Sequence, residues 1–86
     1  MIKEIRLRVK ETAYEVKLAH ATRFLEQNEQ VKLIVVLRGR EIAQPTAGER
    51  LLLQFANDLQ PFGKAEIPPV REPRQVYLIF VPINEG

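Results

Sequence analysis

The tripeptide Arg38-Gly39-Arg40 places two guanidinium groups on either side of one glycine, directly after the apolar run Val31 to Leu37. A guanidinium group is a planar fork of donors that can hold two oxygens of a phosphate or carboxylate at once. Glycine allows backbone conformations that would aim both forks in one direction. The pattern therefore predicts an anion-binding turn where a strand ends. A solvated turn, in which either arginine pairs with Glu41, is the alternative that the spacing leaves open.

Side chains that could carry out catalysis are scarce in this chain. Its 86 residues contain no cysteine, no serine and a single histidine, so disulfides, thiolate metal sites and serine or cysteine triads are excluded. We expect His20 to be a partly buried helix residue and not a metal ligand. A metal site would need further ligands, and no HxxH motif or carboxylate cluster supplies them. An enzyme acting on a phosphorylated substrate would have anion binders in Arg38 and Arg40 but no nucleophile or base. The chain is therefore predicted to be non-enzymatic, with no cofactor and no metal.

Positive charge is concentrated in the first half of the chain. Residues 1–40 contain nine basic and five acidic residues, a net charge of +4, whereas residues 41–86 contain four basic and six acidic residues, a net charge of −2. The basic residues of the first half recur on the predicted first strand, on the first helix and after the second strand: Arg6, Arg8, Lys10, Lys17, Arg23, Arg38 and Arg40. Such a surface could follow a nucleic-acid backbone, and an ordinary charged surface interspersed with glutamates is the alternative. Tyr14 and Tyr77 could stack on bases, although tyrosines in a helix stripe or on a central strand more often pack in the core.

Hydrophobic periodicity predicts an α+β domain with the element order β-α-β-α-β-β. The segment Glu4 to Lys10 alternates polar and apolar residues, which is typical of a strand with one buried face. Further strands are predicted at Val31 to Leu37, Lys64 to Ile67 and Arg74 to Val81. The second and fourth strands are apolar on both faces, so we expect them inside the sheet. With two amphipathic helices, the predicted architecture is a two-layer sandwich: a four-stranded mixed sheet with both helices on one face.

Capping signals predict the helix ends. Thr12 to Glu15 fits a capping box, so the first helix is predicted to start there and to end near Asn28. The second helix is predicted to start between residues 44 and 46, where Thr46 to Glu49 is another possible capping box. Gly48 would let this helix approach a neighbour closely. Pro68 to Pro73 is predicted to be a stiff loop, because its three prolines lack backbone donors.

The length of the chain predicts one domain, residues 1–86. No apolar run reaches the roughly 18 to 20 residues of a membrane span. The first residues alternate and are charged, unlike a signal peptide, so we expect a cytoplasmic protein with no membrane partner.

Four segments resemble the C-terminal domain of bacterial translation initiation factor 3: KEIRLR (Lys3 to Arg8), YEVKLAHATRFL (Tyr14 to Leu25), VKLIVVLRGRE (Val31 to Glu41) and EPRQVYLIFVP (Glu72 to Pro82). They cover nearly the whole chain in one order, and the join of the helix end, the strand and the RGRE turn is their most specific part. The resemblance implies the two-layer fold described above. It also implies a ribosome-binding domain that would be the C-terminal domain of a two-domain factor, with the N-terminal domain absent here.

The resemblance further implies a partner and a site. The family binds the 16S-type ribosomal RNA of the small subunit, prevents premature association with the large subunit, and supports selection of initiator tRNA and the start codon. Its RNA-facing positions, carried over to this chain, are Arg8, Lys17, Arg23, Arg38, Gly39, Arg40 and Arg74. Basic residues that are usual in the family are replaced here at Ala19, Val36 and Gln54. The implied domain is a monomer.

A small-ligand-binding regulatory α/β sandwich, whose basic stripe is only surface, is the second hypothesis. It predicts thermal stabilisation by a metabolite and indifference to RNA. The first hypothesis predicts salt-sensitive binding to small ribosomal subunits instead.

Overall fold

The computed structural model describes residues 2–66 and 68–83. The strands and helices follow in the order β1 (Ile2–Arg8), α1 (Tyr14–Glu26), β2 (Gln30–Val36), α2 (Thr46–Asp58), β3 (Gly63–Ala65), β4 (Val70–Glu72) and β5 (Gln75–Pro82). A short 3-10 helix, Gly39–Ile42, lies between β2 and α2. No helix in the described part of the chain is long and apolar enough to cross a membrane.

The five strands form one mixed sheet with β2 and β5 at its centre. β1 pairs with β2 in parallel, and β5 pairs with β2 in antiparallel orientation. β3 and β4 share the other edge of β5, where they pair with its last and its first residues respectively. The predicted interior positions of the two strands that are apolar on both faces are therefore confirmed.

Both helices pack against the same face of the sheet. The pairing register places the side chains of Ile5, Leu33 and Leu78 in one row across β1, β2 and β5, and those of Leu7, Val35 and Val76 in the next. These residues form one buried cluster with Ala21 and Leu25 of α1, with Leu52 and Phe55 of α2, and with Leu59, which directly follows α2. The core therefore lies between the sheet and a single helical layer.

The predicted α+β class, with two helices against a mixed sheet, is confirmed, but the sheet has five strands rather than four. The additional strand is β4, which lies inside the predicted loop Pro68 to Pro73. Its three residues all have backbone donors, and the prolines stand only outside its ends, so pairing with β5 loses no hydrogen bond to proline. The predicted third strand starts one residue earlier, at Gly63, and its predicted last residue, Ile67, lies outside the described residues.

Neither predicted capping box forms. The α1 helix starts at Tyr14 without a side-chain cap, and the loop before it is held by Glu11 instead. The α2 helix starts at Thr46, also without a side-chain cap: its N-cap residue is Pro45, and the Glu49 carboxylate is bound by the guanidinium of Arg71. At α1, Glu11 outside the helix accepts the N–H of the N-cap residue Ala13, whereas at α2 the expected capping carboxylate is engaged by a residue of β4.

His20 is exposed on α1, so its predicted partial burial was wrong. The next residue, Ala21, is fully buried and points at the sheet. Successive residues of an α-helix are rotated by about 100°, which turns His20 away from the buried stripe.

Gly48 allows α2 to lie close to the sheet. A Cβ atom at this position would lie 3.0 Å from Cγ2 of Val76 and 3.3 Å from side-chain atoms of both Leu37 and Val35. The predicted close approach of α2 to its neighbours is therefore confirmed.

The ion pair between Arg71 and Glu49 ties β4 to α2 and should make stability depend on pH. Nε and Nη2 of Arg71 lie 2.5 Å and 2.8 Å from the two carboxylate oxygens of Glu49. The hydrogen bond from Arg71 is the main cause that holds the pKa of Glu49 below its ordinary value of 4.5. Since the folded pKa is the lower one, the pair stabilises the fold above the ordinary value, and this contribution is lost as pH falls through the lowered pKa.

Glu49→Gln is therefore expected to lower the melting temperature at neutral pH, and the difference from the wild type should shrink as pH falls through the lowered pKa of Glu49. Thermal unfolding of both proteins across this pH range measures the effect. Glu66→Gln is the matched control, because the Glu66 carboxylate has no ion-pair partner among the described residues. A difference that stays constant with pH would show that the pair does not contribute in this way.

Candidate functional site

A cleft of about 640 Å³ opens at one end of the sheet, where β1 and β2 end and α1 begins. Among the side chains lining it are five basic residues and one acidic residue: Arg6, Arg8, Lys10, Lys17 and Arg38, with Glu11. We call this the cationic cleft. An excess of one charge sign in a concave site concentrates ligands of the opposite sign, so the cleft is suited to bind a polyanion.

The parallel pairing of β1 with β2 explains why residues far apart in the sequence meet here. Carboxyl ends of parallel strands lie at the same edge of a sheet, and Arg8 pairs with Val36, the last residue of β2. Arg38 follows two residues later, and the short connection from Arg8 to α1 brings Lys17 back to this edge. Three of the residues that sequence reasoning selected, Arg8, Lys17 and Arg38, are thus gathered in one cleft.

Glu11 lies in the cleft, and its carboxylate binds the backbone. Its carboxylate oxygens accept hydrogen bonds from the N–H groups of Arg8 and Ala13, each at 3.2 Å. These bonds hold the turn between β1 and α1 in place. Among the described residues that line the cleft, the acidic one therefore binds backbone donors and none of the basic side chains.

The Arg38-Gly39-Arg40 turn is held by a similar contact. Oε1 of Glu41 accepts a hydrogen bond from the backbone N–H of Arg38 at 2.9 Å, and the N–H of Glu41 donates to the carbonyl of Arg38 at 3.0 Å. Gly39 between them has a φ of +57°, in the left-handed region that favours glycine. The alternative in which Glu41 pairs with a guanidinium is not what the structure shows, since this carboxylate binds the backbone.

The basic side chains of the site have no carboxylate partners within the described residues. The two ion pairs found in residues 2–66 and 68–83 join Lys3 to Glu29 and Arg71 to Glu49. Neither pair involves a residue of the cationic cleft or of the Arg38-Gly39-Arg40 turn. The positive charge at this edge of the sheet is therefore available to an external anion.

The remaining predicted residues lie outside the cleft. Arg40 is exposed on the 3-10 helix beyond it. Arg74 lies in the turn between β4 and β5, and its carbonyl accepts the N–H of Leu37 at 2.8 Å, so it neighbours the same edge of the sheet. Arg23 is in the last turn of α1, at the opposite end of the sheet, six residues and about 9 Å along the helix from Lys17. The RNA-binding role of all these residues stays a prediction.

Arg6 and Lys10 belong to the cleft, although the resemblance did not select them. Both were part of the basic stripe that the charge distribution indicated. Strand alternation was the signal that could have found Arg6, because it places Arg6 and Arg8 on the same exposed face of β1. Lys10 was expected on that strand, but β1 ends at Arg8 and Lys10 reaches the cleft from the following turn.

The two tyrosines have different surroundings. The ring of Tyr14 packs on Phe55, with the ring centroids 4.4 Å apart, and its hydroxyl donates a hydrogen bond to Asp58 at the end of α2. Burial, and then this hydrogen bond and the charge of Asp58, raise the pKa of Tyr14, so the phenol stays protonated. Tyr14 is therefore a packing residue that fixes the start of α1 beside the cleft. Tyr77 is only half-buried, on the sheet face away from the helices.

Substitution of Gly39 tests how the turn is held. A Cβ atom at Gly39 would have no heavy atom within 4 Å, so the cost of a side chain here comes from the backbone conformation alone. We expect Gly39→Ala to lower the free energy of unfolding by about 1 to 2 kcal/mol. Gly39→Asn should cost less, because asparagine adopts the left-handed conformation more readily. Urea denaturation measures both, and equal stability of the two variants would contradict this description of the turn.

The fold and the cleft define a small α+β domain that gathers basic side chains at one edge of its sheet. The family described as "Translation initiation factor IF-3, C-terminal domain" matches residues 1–83, and the chain belongs to this family. The predicted relationship is therefore confirmed. The prediction that the chain is not an enzyme is also confirmed, because the relatives are translation initiation factors.

Three relatives named translation initiation factor IF-3 illustrate the match. The protein of Azobacteroides pseudotrichonymphae genomovar. CFP2 is 43% identical over 84 residues, which are 95% of this chain and 46% of the relative. That of Parabacteroides distasonis is 41% identical over 88 residues, covering 100% of this chain and 42% of the relative. That of Thermus thermophilus is 37% identical over 85 residues, covering 96% and 50% respectively. The chain thus spans half or less of the length of these relatives.

Proposed function

We propose that this domain binds the ribosomal RNA of the small subunit through the cationic cleft and the neighbouring turn. By occupying this position it prevents premature association with the large subunit, and it supports selection of initiator tRNA and the start codon. The domain acts in the cytoplasm as a monomer, with no cofactor and no metal. Membership of the family supports the role in translation initiation.

The unpaired positive charge of the cleft is the observation that carries the proposal. Five basic side chains line it, while the carboxylate of Glu11 binds backbone N–H groups. Arginine forks hold phosphate oxygens in pairs, and lysine acts as a point charge beside them. Phosphates are the anions that a nucleic acid repeats at a regular spacing, so a cleft with several cations suits a phosphodiester backbone better than a single small anion.

The rigidity of the scaffold suits the way in which folded RNA is recognised. Double-helical RNA is read mainly by its shape and by its phosphate and 2′-hydroxyl groups, because its major groove is too narrow for side chains. The cleft is built on two strand ends and the first turn of a helix, and Glu11 and Glu41 hold the connecting turns. Basic groups at fixed positions can match phosphates at fixed positions, which is what recognition by shape requires.

This domain should make fewer phosphate contacts than is usual in the family, because three positions that are usually basic are not basic here. Val36 lines the cleft where a basic residue is usual in the family, and Ala19 and Gln54 are exposed on α1 and α2 at two further such positions. Each missing contact removes about one unit from the slope of log affinity against log salt. The salt dependence of binding should therefore come from the basic residues of the cleft and of the turn.

A subunit-joining measurement tests the proposed function. Purified small subunits are incubated with an excess of the domain, large subunits are added, and light scattering follows the formation of whole ribosomes. We expect the domain to reduce the scattering increase, because it occupies a surface needed for joining. The variant Arg8→Ala/Arg38→Ala should restore joining, since it removes two cations of the cleft. Undiminished joining in the presence of bound domain would contradict the proposed role in subunit association.

A further inference from the structure

Within the part of the chain that the structure describes, the helices cover only one face of the sheet. Both helices pack on that face, and their buried residues belong to a single core cluster with Ile5, Leu33 and Leu78. Alternate residues of β1, β2 and β5 therefore point to a face that no helix among residues 2–66 and 68–83 covers. We call it the open face, and it carries Glu4, Arg6, Arg8, Lys32, Ile34, Val36, Gln75, Tyr77 and Ile79.

The centre of the open face is apolar and aromatic. Arg6, Ile34 and Tyr77 lie opposite one another in one row across the three strands. Ile34 is only 3% exposed although it lies outside the core cluster, so neighbouring side chains of the open face must cover it. Tyr77 is half-buried and borders Ile34, which leaves part of its ring accessible.

Basic side chains lie beside this centre, and none of them has an ion-pair partner in residues 2–66 or 68–83. Nζ of Lys32 lies 4.2 Å from the centroid of the Tyr77 ring. Glu4 is the cross-strand neighbour of Lys32, yet the described residues show no ion pair between them. The ammonium group therefore rests on the aromatic face, a contact that is worth little at an exposed site and that a ligand can replace.

The open face is continuous with the cationic cleft. Arg6, Arg8 and Val36 lie on the open face and also line the cleft. A chain of phosphates bound in the cleft thus leads directly to the row that contains Ile34 and Tyr77. Interleaved basic and aromatic groups along one path are the pattern by which proteins bind single-stranded nucleic acid.

We infer that the open face binds a single-stranded RNA segment that continues from the cationic cleft, with one base stacked on Tyr77 and its phosphates held by Arg6 and Lys32. This inference rests on the proposed function, because the cleft must hold RNA for the segment to arrive. Stacking is available to every base, since each has a π-face, so no particular sequence is required. An apolar protein partner is disfavoured, because Ile34 at the centre of the open face is already covered and Arg6, Arg8 and Lys32 lie on the same face.

Aromatic NMR of the wild-type domain tests the inference without a substitution. The probes are an oligoadenylate of about six nucleotides and an RNA duplex of similar length. Stacking should shift the Tyr77 ring resonances upfield with the single strand, whereas the duplex, whose bases are paired and held inside a helix, should leave them in place. Unshifted Tyr77 resonances at saturating oligoadenylate would overturn the inference, as would shifts produced by an apolar peptide and not by RNA.

Binding to small subunits then separates this inference from the proposed function. Tyr77→Leu keeps an apolar side chain but removes the ring, and should weaken binding of the oligoadenylate about 5- to 100-fold. Tyr77→Phe, which restores a ring, is expected to recover most of that loss. One outcome is that Arg8→Ala/Arg38→Ala weakens binding to small subunits while Tyr77→Leu leaves binding of both the oligoadenylate and the small subunits unchanged. In that case the inference fails and the proposed function stands. If Arg8→Ala/Arg38→Ala leaves binding to small subunits unchanged, both fail.

Discussion

Replacing Arg8 and Arg38 by alanine is expected to weaken binding to small ribosomal subunits about 10- to 100-fold at physiological salt. The loss of each side chain removes about one phosphate contact. The two residues meet in the cleft only through the fold, from the ends of two parallel strands. Both side chains are exposed and neither has an ion-pair partner among the described residues. Their removal should therefore change affinity and leave the fold intact. Equilibrium binding with a labelled domain measures the loss.

A matched control distinguishes a site from a general effect of charge. Arg50→Ala/Lys64→Ala also removes two positive charges, but from exposed positions on α2 and β3 that do not line the cleft. We expect this control to bind nearly as well as the wild type. Equal losses in the two double variants would show that net charge matters and the cleft does not.

Phe55→Ala is expected to lower the free energy of unfolding by about 3 to 5 kcal/mol. Phe55 is fully buried, between α2 and the sheet, and its ring lies 4.4 Å from that of Tyr14. Its removal leaves a cavity that the rigid sheet cannot fill. Since small domains are stable by only about 5 to 15 kcal/mol, the loss should be large enough to leave the domain marginally folded at 37 °C.

The control for this effect lies on the same helix. Leu53 is 47% exposed, so Leu53→Ala also shortens an apolar side chain of α2, by fewer atoms than Phe55→Ala, and opens no buried cavity. Urea denaturation should show a change within about 0.5 kcal/mol for this variant. A comparable loss in both variants would mean that α2 does not pack on the sheet in the way described here.

The overall fold could be predicted because its signals are repeated along each element. Alternation in β1 and the two-faced apolar patterns of β2 and β5 identified the strands and the central positions of two of them. The stripes of α1 and α2 identified the helices and the side that faces the sheet. Each pattern rests on several residues, so one atypical position does not change the result.

Features set by a single tertiary contact could not be predicted in this way. The Glu49 carboxylate had a local role available in a capping box, but Arg71, twenty-two positions later in the chain, binds it instead. The β4 strand was hidden by prolines at both ends of its segment, and it forms because β5 offers an unpaired edge there. Local patterns do not contain the position of a distant partner, so these details appear only in the folded structure.

The candidate site was predicted in part for the same reason. The sequence supplied the basic residues, and the parallel order of β1 and β2 decided which of them meet. Arg23 could not be separated from Lys17 by spacing alone, although the helix carries it to the far end of the sheet. Arg6 could have been selected by strand alternation, because it shares an exposed face with Arg8.

A salt series with purified small subunits tests the central claim most directly. Affinity of the wild-type domain, of Arg8→Ala/Arg38→Ala and of Arg50→Ala/Lys64→Ala is measured at several salt concentrations, after thermal unfolding has shown that all three are folded. We predict that the slope of log affinity against log salt becomes shallower by about two units in the cleft variant, one for each phosphate contact removed, and stays unchanged in the control. Identical slopes for the wild type and the cleft variant would contradict the claim that the cationic cleft holds ribosomal RNA.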